Sequence, residues 1–231
     1  MRDRTLSEQE LVGKGVRNVE AWARDDPLWP GQLAILAALL LYLALPPALT
    51  IGPSWLVPAI EGVVLLGLVG AARRGRAEEQ RRMLAIGLVV GAAVVSLVAL
   101  GLLTHYLLAG GHARGADLLD GGVIIWATNF LLYAVLYWEL DRGGPRRLGA
   151  RHQRVAPDLL FPQMSDERFA PPGWKPGFGD YLYVSLTNQT AFSPTDTMPL
   201  TPRLKLVMGV QGAAALITVG VIVARAVNIL G

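Results

Sequence analysis

From Asp180 to Ala191 the chain reads DYLYVSLTNQTA, and from Phe192 to Pro202 it continues FSPTDTMPLTP. The first string has twelve residues and is moderately apolar. Wound as a helix it reaches about 18 Å at ~1.5 Å per residue, well short of the roughly 30 Å hydrocarbon core of a bilayer. It is too short to cross a membrane and too apolar for a free loop. Gly177 and Gly179 precede it, and Asp180 suits an N-cap, accepting from the free N–H groups of a first helical turn. Pro194, Pro199 and Pro202 keep the following stretch irregular, and an apolar block then runs from Leu204 to near Ala224. Short helix, irregular chain, long helix is the order in which a re-entrant pore loop is built.

Outward from this stretch, the chain predicts an all-α, polytopic membrane protein with five transmembrane helices and a re-entrant, pore-loop-like helix before the last. Residues 27–60 carry few polar groups but are broken by Pro46-Pro47 and Gly52-Pro53. Two breakers so close fit a hairpin between a first helix over 31–49 and a second over 55–72. A third helix runs from Met83 to Leu108 and a fourth from Leu119 to Leu140. Tyr137 and Trp138, near its end, suit an interfacial aromatic belt. Residues 141–179 form a polar linker rich in Pro, Gly and Arg that cannot span, and residues 180–231 hold the loop segment and the last span. Residues 1–30 are polar but patterned, with Ser7 and Glu10 spaced as a capping box and Val12, Val16, Val19 and Trp22 on one helical face. That helix lies along the membrane surface or packs on its own protein. No internal repeat is visible.

Only 17 % of residues are charged, against about 25 % in soluble domains, and the Arg clusters sit between apolar blocks. The net charge of +3 therefore reads as topology-setting charge and not as a nucleic-acid surface. The absence of Cys excludes disulfides, thiolate metal sites and Cys nucleophiles. With the N-terminus cytoplasmic and five spans, segments 1–30, 73–82 and 141–205 lie inside and hold 19 of the 21 Lys/Arg. The opposite orientation exports nearly all of them, which the positive-inside rule disfavours. The expected location is a bacterial cytoplasmic membrane. No cleavable signal peptide is visible.

Tyr183–Pro202, YVSLTNQTAFSPTDTMPLTP, resembles the pore segment of the potassium-channel pore-domain superfamily. Tyr183, Ser185, Thr190, Asp196, Pro199, Thr201 and Pro202 fall without a gap on residues typical of that family, and Val223, Ala224 and Arg225 resemble the end of an inner pore helix. The FSPTDTMPL wording also resembles a group of uncharacterised bacterial membrane proteins. The likeness is confined to about the last fifty residues, and no helix carries the regularly spaced Arg of a voltage sensor. It implies a homo-oligomer, a tetramer if a pore forms, conducting monovalent cations. The departures lie at the filter, where Ala191, Phe192, Ser193, Pro194 and Thr195 replace the usual TVGYG. A potassium filter coordinates with backbone carbonyls, and its glycines adopt angles that residues with a Cβ resist. Potassium selectivity therefore does not transfer. Channels of that superfamily also insert the loop from outside, whereas the charge pattern here places it on the cytoplasmic side. Either the loop is inverted, as in ionotropic glutamate receptors, or the span count is off by one.

The residues expected to line an ion pathway are Thr187, Asn188, Thr190, Ala191, Phe192, Ser193, Pro194, Thr195 and Asp196. The hydroxyl, amide and carboxylate groups among them offer oxygen ligands, the C-terminal dipole end of a helix ending near Thr190 favours a cation, and Asp196 gives a carboxylate ring in a symmetric oligomer. The alternative is a structural plug in which Asp196 caps its own turn. Glu61 and His105 form a second candidate set, either an intramembrane proton or ion relay or ordinary interhelical hydrogen bonding, and Asn129 and Gln211 are further polar residues inside predicted helices. No nucleophile pair, metal-spaced His set or phosphate loop is present, so no enzyme activity, metal, other cofactor or nucleic acid is expected. The functional expectation is an ion-channel-like membrane protein. The alternatives are a non-conducting scaffold or accessory subunit, and a small proton-coupled transporter using Glu61.

Overall fold

The computed structural model describes residues 28–50, 52–73, 78–109, 115–144, 156–166, 168, 170, 174–191, 193 and 196–230. Seven helices make up nearly all of it. They are α1 (Trp29–Leu43), α2 (Leu56–Arg73), α3 (Glu78–Ala109), α4 (Gly115–Leu140), a single turn α5 (Pro162–Ser165), α6 (Phe178–Thr190) and α7 (Pro202–Leu230). Two-residue strands β1 (Leu159–Leu160) and β2 (Met198–Pro199) pair antiparallel, Leu159 opposite Pro199 and Leu160 opposite Met198. Helices α3, α4 and α7 are long and apolar enough to cross a membrane, whereas α1 and the Leu56–Leu68 part of α2 are apolar but shorter. Three of the five predicted spans thus meet that criterion. The patterned segment upstream of Leu28 lies outside the described residues.

Helix α4 is the centre of the bundle and packs against α1, α3, α6 and α7. Every residue from Leu132 to Glu139 is buried, as in a helix with neighbours on all sides. That central position corrects the expectation of an aromatic belt. Tyr137 is fully buried, and Trp138 packs between the ring of Phe178, 5.0 Å away, and the backbone of Gly31. A Cβ on Gly31 would stand 2.6 Å from the Trp138 ring, so glycine is what lets α1 approach α4 here.

The helices alternate in direction between two ends. At one end the start of α3 meets the end of α4 through Arg81 and Glu139, and the start of α7 meets it through Arg203 and the carbonyl of Leu140. At the other end, Gly121 and Gly122 near the start of α4 face Leu49, just beyond α1, and Ile222 of α7. Helix α1 stops at Leu43, short of the predicted 49, because Pro46 and Pro47 offer no N–H to continue it. The chain instead makes a 3-10 turn, Pro47–Leu49. Helix α4 stops after Leu140, where Arg142 at φ 50 and Gly144 at φ 101 turn the chain out through left-handed backbone.

Helix α6 begins at the charged end and runs antiparallel along α4. Tyr181 bonds Asp141, Ser185 bonds the carbonyl of Phe130, and Gln189 bonds the carbonyl of Trp126. From Asp141 to Trp126 is about 22 Å along a helix axis. The seven residues 191–197 then bring the chain back to β2, beside β1, at the end from which α6 set out. Helix α6 starts three residues earlier than the sequence suggests. Its N-cap is Gly177, and Asp180 is the third residue of the first turn, accepting from the N–H of Gly177 at 2.7 Å.

Candidate functional site: the docked α6 helix and its return segment

The inward face of α6 carries Tyr181, Val184, Ser185, Thr187, Asn188 and Gln189, all buried. Gln211 of α7, 1 % exposed, sits at the centre of what they touch. Its Oε1 accepts from Asn188 Nδ2 at 2.8 Å and from the hydroxyl of Tyr137. Its Nε2 donates to Ser185 Oγ at 2.8 Å and to Gln189 Oε1 at 3.1 Å. Asn188 Nδ2 donates also to the carbonyl of Met208 at 2.9 Å, Ser185 Oγ to that of Phe130 at 2.8 Å, and Gln189 Nε2 to that of Trp126 at 2.6 Å. One network therefore joins α4, α6 and α7. Removed from water, such groups carry a large penalty for any bond left unmade, so the network fixes the depth and rotation of α6 together.

A second cluster holds the end where α6 starts. Asp141, wholly buried, accepts from the hydroxyl of Tyr181 at 2.7 Å and from the N–H groups of Asp158 and Leu159 at 2.8 and 3.3 Å. Asp158 accepts from both Arg203 Nη2, at 2.6 Å, and Arg203 Nε, at 3.0 Å, and from Thr201 Oγ1 at 2.8 Å. The first cluster member is held above the usual carboxylate range, because burial outweighs the hydrogen bonds that stabilise its charge. For Asp158 burial also raises, but the bonds from Arg203 and Thr201 outweigh it and hold the carboxyl below the usual range. Beside them Glu139 receives both terminal nitrogens of Arg81 at 3.2 and 3.3 Å, a buried bidentate ion pair.

The predicted pathway residues divide into two sets. Thr187 and Asn188 face the core of the chain itself, and the Thr187 hydroxyl donates to the carbonyl of Val184 at 3.1 Å. Thr190, Ala191, Ser193 and Asp196 are exposed. The Thr190 hydroxyl donates to the carbonyl of Leu186 at 2.8 Å, and Thr197 Oγ1 lies 3.3 Å from the Asp196 carboxylate. Phe192, Pro194 and Thr195 lie outside the described residues. Between α6, the return segment and α7 runs an open groove of about 380 Å³ whose lining includes Asn188, Ser193, Lys205, Gly209 and Leu216. It continues onto an exposed stripe of α7, Leu206, Val210, Ala213, Ile217, Gly220, Ala224 and Val227, in which residues three and four apart share one face. Gly209, Gly212 and Gly220 meet nothing within 4 Å of where a Cβ would stand.

Glu61 and His105 are not brought together. Glu61 on α2 faces Gly91 and Val95 of α3, and His105, exposed, lies ten or more residues further along α3, about 15–20 Å by helical rise. Its ring instead lies edge-on to Tyr106, with centroids 6.0 Å apart. Among the described residues no group of three or more His, Asp or Glu is placed to hold a metal ion.

The sequence puts Gln211 inside a helix without linking it to α6, and Asp158 reads there only as part of the polar linker. A signal existed for Asp158. It opens an apolar string, DLLFP, in an otherwise polar stretch, and an acidic residue beside a short strand needs a basic partner. Comparison with protein-family models, with curated proteins and with solved structures gave no match for the chain.

Proposed function

We propose that this chain is a channel-like membrane protein in which α4, α6, the 191–197 segment and α7 form one subunit's share of a pore. The observation that carries the reading is the path of the chain. Helix α6 runs along α4 from Asp141 to Trp126, about 22 Å at ~1.5 Å per residue, and the chain returns to the end it left within seven residues. Irregular backbone at membrane depth is tolerated only where protein covers it or water bathes it. Here the exposed groups beside it are Thr190, Ser193 and Asp196, together with the bare stripe of α7. Copies of the chain arranged around an axis, four in the pore reading, satisfy both demands, with the α7 stripes against one another and the polar segment toward water. The pathway then comprises Thr190, Ala191, Ser193 and Asp196, while Thr187 and Asn188 hold α6 in place.

The same reading takes α1 and α2 as two further crossings, for five in all. Their support is the alternation of direction, since α1 begins beside Trp138 and the turn after it reaches Gly121. The ends that carry Arg81, Arg82, Arg142 and Arg203 then face the cytoplasm of a bacterial cell, as does the N-terminus, and the loop enters from that side.

A second reading, a non-conducting membrane subunit, draws on the completeness of the α6 network, which would serve equally to fasten a plug. Reconstitution separates the two. Monovalent cation flux into liposomes that falls in Asp196→Ala and Thr190→Val variants supports the pore, and no flux for any ion supports the scaffold. A transporter reading would instead require Glu61→Gln to abolish proton-coupled uptake while the loop variants do little.

A further inference from the structure

Glu61 makes neither a hydrogen bond nor an ion pair among the described residues. Its side chain borders two spaces. One is a groove of about 470 Å³ between α2 and α3, with Ile60, Val64, Leu84, Gly87 and Gly91 in its walls. The other is a small internal cavity shared with Thr128 of α4, whose buried hydroxyl also lacks a partner. Gly87 and Gly91 supply the depth of the groove, since nothing stands within 4 Å of where their Cβ atoms would be. Around the mouth, Ile60, Met83 and Leu84 are more than half exposed. A carboxylate is thus held in an apolar trough on the outward-facing side of the helix pair. A group of that kind is costly without a counter-charge.

We propose that this groove is a binding site for an amphiphilic monocation, with an alkyl chain along Gly87 and Gly91 and a cationic head against the Glu61 carboxylate. The volume falls within the roughly 300–1,000 Å³ of small-molecule sites, which are apolar with a few placed polar groups. Charge complementarity selects the occupant. A neutral chain gains only burial, an anionic amphiphile meets like charge, and a cation supplies the partner that the described residues do not. The site uses neither α6 nor the 191–197 segment, so it stands apart from the pore reading.

The test uses the full chain in phosphatidylcholine nanodiscs and dicyclohexylcarbodiimide, an apolar reagent for carboxylic acids. The acid O–H adds across one C=N bond of the reagent, and the O-acylisourea rearranges to a stable N-acylurea with no leaving group. Peptide mass spectrometry then reads the added reagent at Glu61. Dodecyltrimethylammonium, which has no nucleophilic nitrogen, is expected to slow the labelling about tenfold at concentrations near nine times its Kd, while dodecane changes it less than about twofold. Gly91→Leu, which fills the groove from a position with open space, is expected to abolish labelling while leaving the melting temperature near wild type. Equal protection by dodecane and the cation overturns the proposal. So does labelling undiminished in Gly91→Leu, and so does an unlabelled Glu61 in the folded wild type, which would mean that lipid or a second copy already closes the groove.

Discussion

Asn188 Nδ2 lies 2.8 Å from Gln211 Oε1, a contact between a thirteen-residue helix and a long one that is made entirely inside the bundle. The two side chains are also tied to Met208, Tyr137, Ser185 and Gln189. This contact joins the two structural halves of the proposed pore unit. It explains why the last part of the chain keeps a polar string, Ser185 to Gln189, where a spanning helix would be apolar. The string is the lock between α6 and its neighbours, and only the residues beyond it are free to meet a pathway.

Gln211→Leu should therefore loosen α6 without removing a span. The substitution removes one hydrogen bond each from Asn188, Ser185, Tyr137 and Gln189, and a loss of about 2 kcal/mol is expected from buried bonds left unmade. Unfolding by rising SDS mole fraction measures it, and a pulse of protease should cut within 178–197 faster. Stability and cleavage both equal to wild type would show that the network does not hold α6.

The Arg81–Glu139 pair should behave as a buried pair does, costly to break from one side and cheap to replace. Arg81→Met alone is expected to cost about 3–5 kcal/mol, because it removes the bidentate partner of the buried Glu139 carboxylate. Arg81→Met with Glu139→Leu should recover most of that loss. A double mutant as unstable as the single one would mean that Arg82, whose Nε bonds the Glu139 carbonyl at 3.0 Å, or packing around Arg81 dominates instead.

Asp158 predicts a pH dependence of known sign. Its carboxyl is held below the usual range by Arg203 and Thr201 against the effect of burial. Its folded pKa is therefore below its unfolded one. The stability it contributes is present above the unfolded value and lost as pH falls through the folded one. Asp141, raised by burial, slopes the opposite way, so the quantity to follow is the difference between wild type and Asp158→Asn. That difference should be largest near neutrality and shrink toward acid, and a gap that stays constant with pH would contradict the assignment.

Gly31→Ala should destabilise the bundle by about 1–3 kcal/mol through overpacking, since the new Cβ meets the rigid Trp138 ring at 2.6 Å. Gly209→Ala, with open space around it, should leave the isolated subunit unaffected. Thermal melts of the two variants, side by side, check the pair. A Gly31→Ala melt matching wild type would mean that α1 lies further from α4.

The bundle was legible where a single physical signal dominated. Helices α3, α4 and α7 follow from the length of their apolar blocks, and the short α6 from a run too short to cross. What the sequence could not supply was which neighbour each helix meets. Tyr137 and Trp138 look alike whether a helix is peripheral or central, and only the packing of α1, α3, α6 and α7 around α4 decides it. For the same reason Thr187 and Asn188 read as pathway ligands beside Thr190. A 3.6-residue period separates inward from outward positions only when the direction of the core is known. The start of α6 was misplaced because Asp180 suits both the N-cap and the third helical position, and Phe178 and Gly179 carry no strong signal to choose between them.

The most direct test of the proposed pore uses the fact that the chain has no cysteine. Ser193→Cys places a single thiol on the return segment, and proteoliposomes carrying it are followed for monovalent cation flux before and after a charged, membrane-impermeant methanethiosulfonate. The account predicts flux above empty liposomes that the reagent suppresses in Ser193→Cys and leaves unchanged in wild type. Flux indistinguishable from empty liposomes, or flux untouched by modification of Cys at this position, would contradict it.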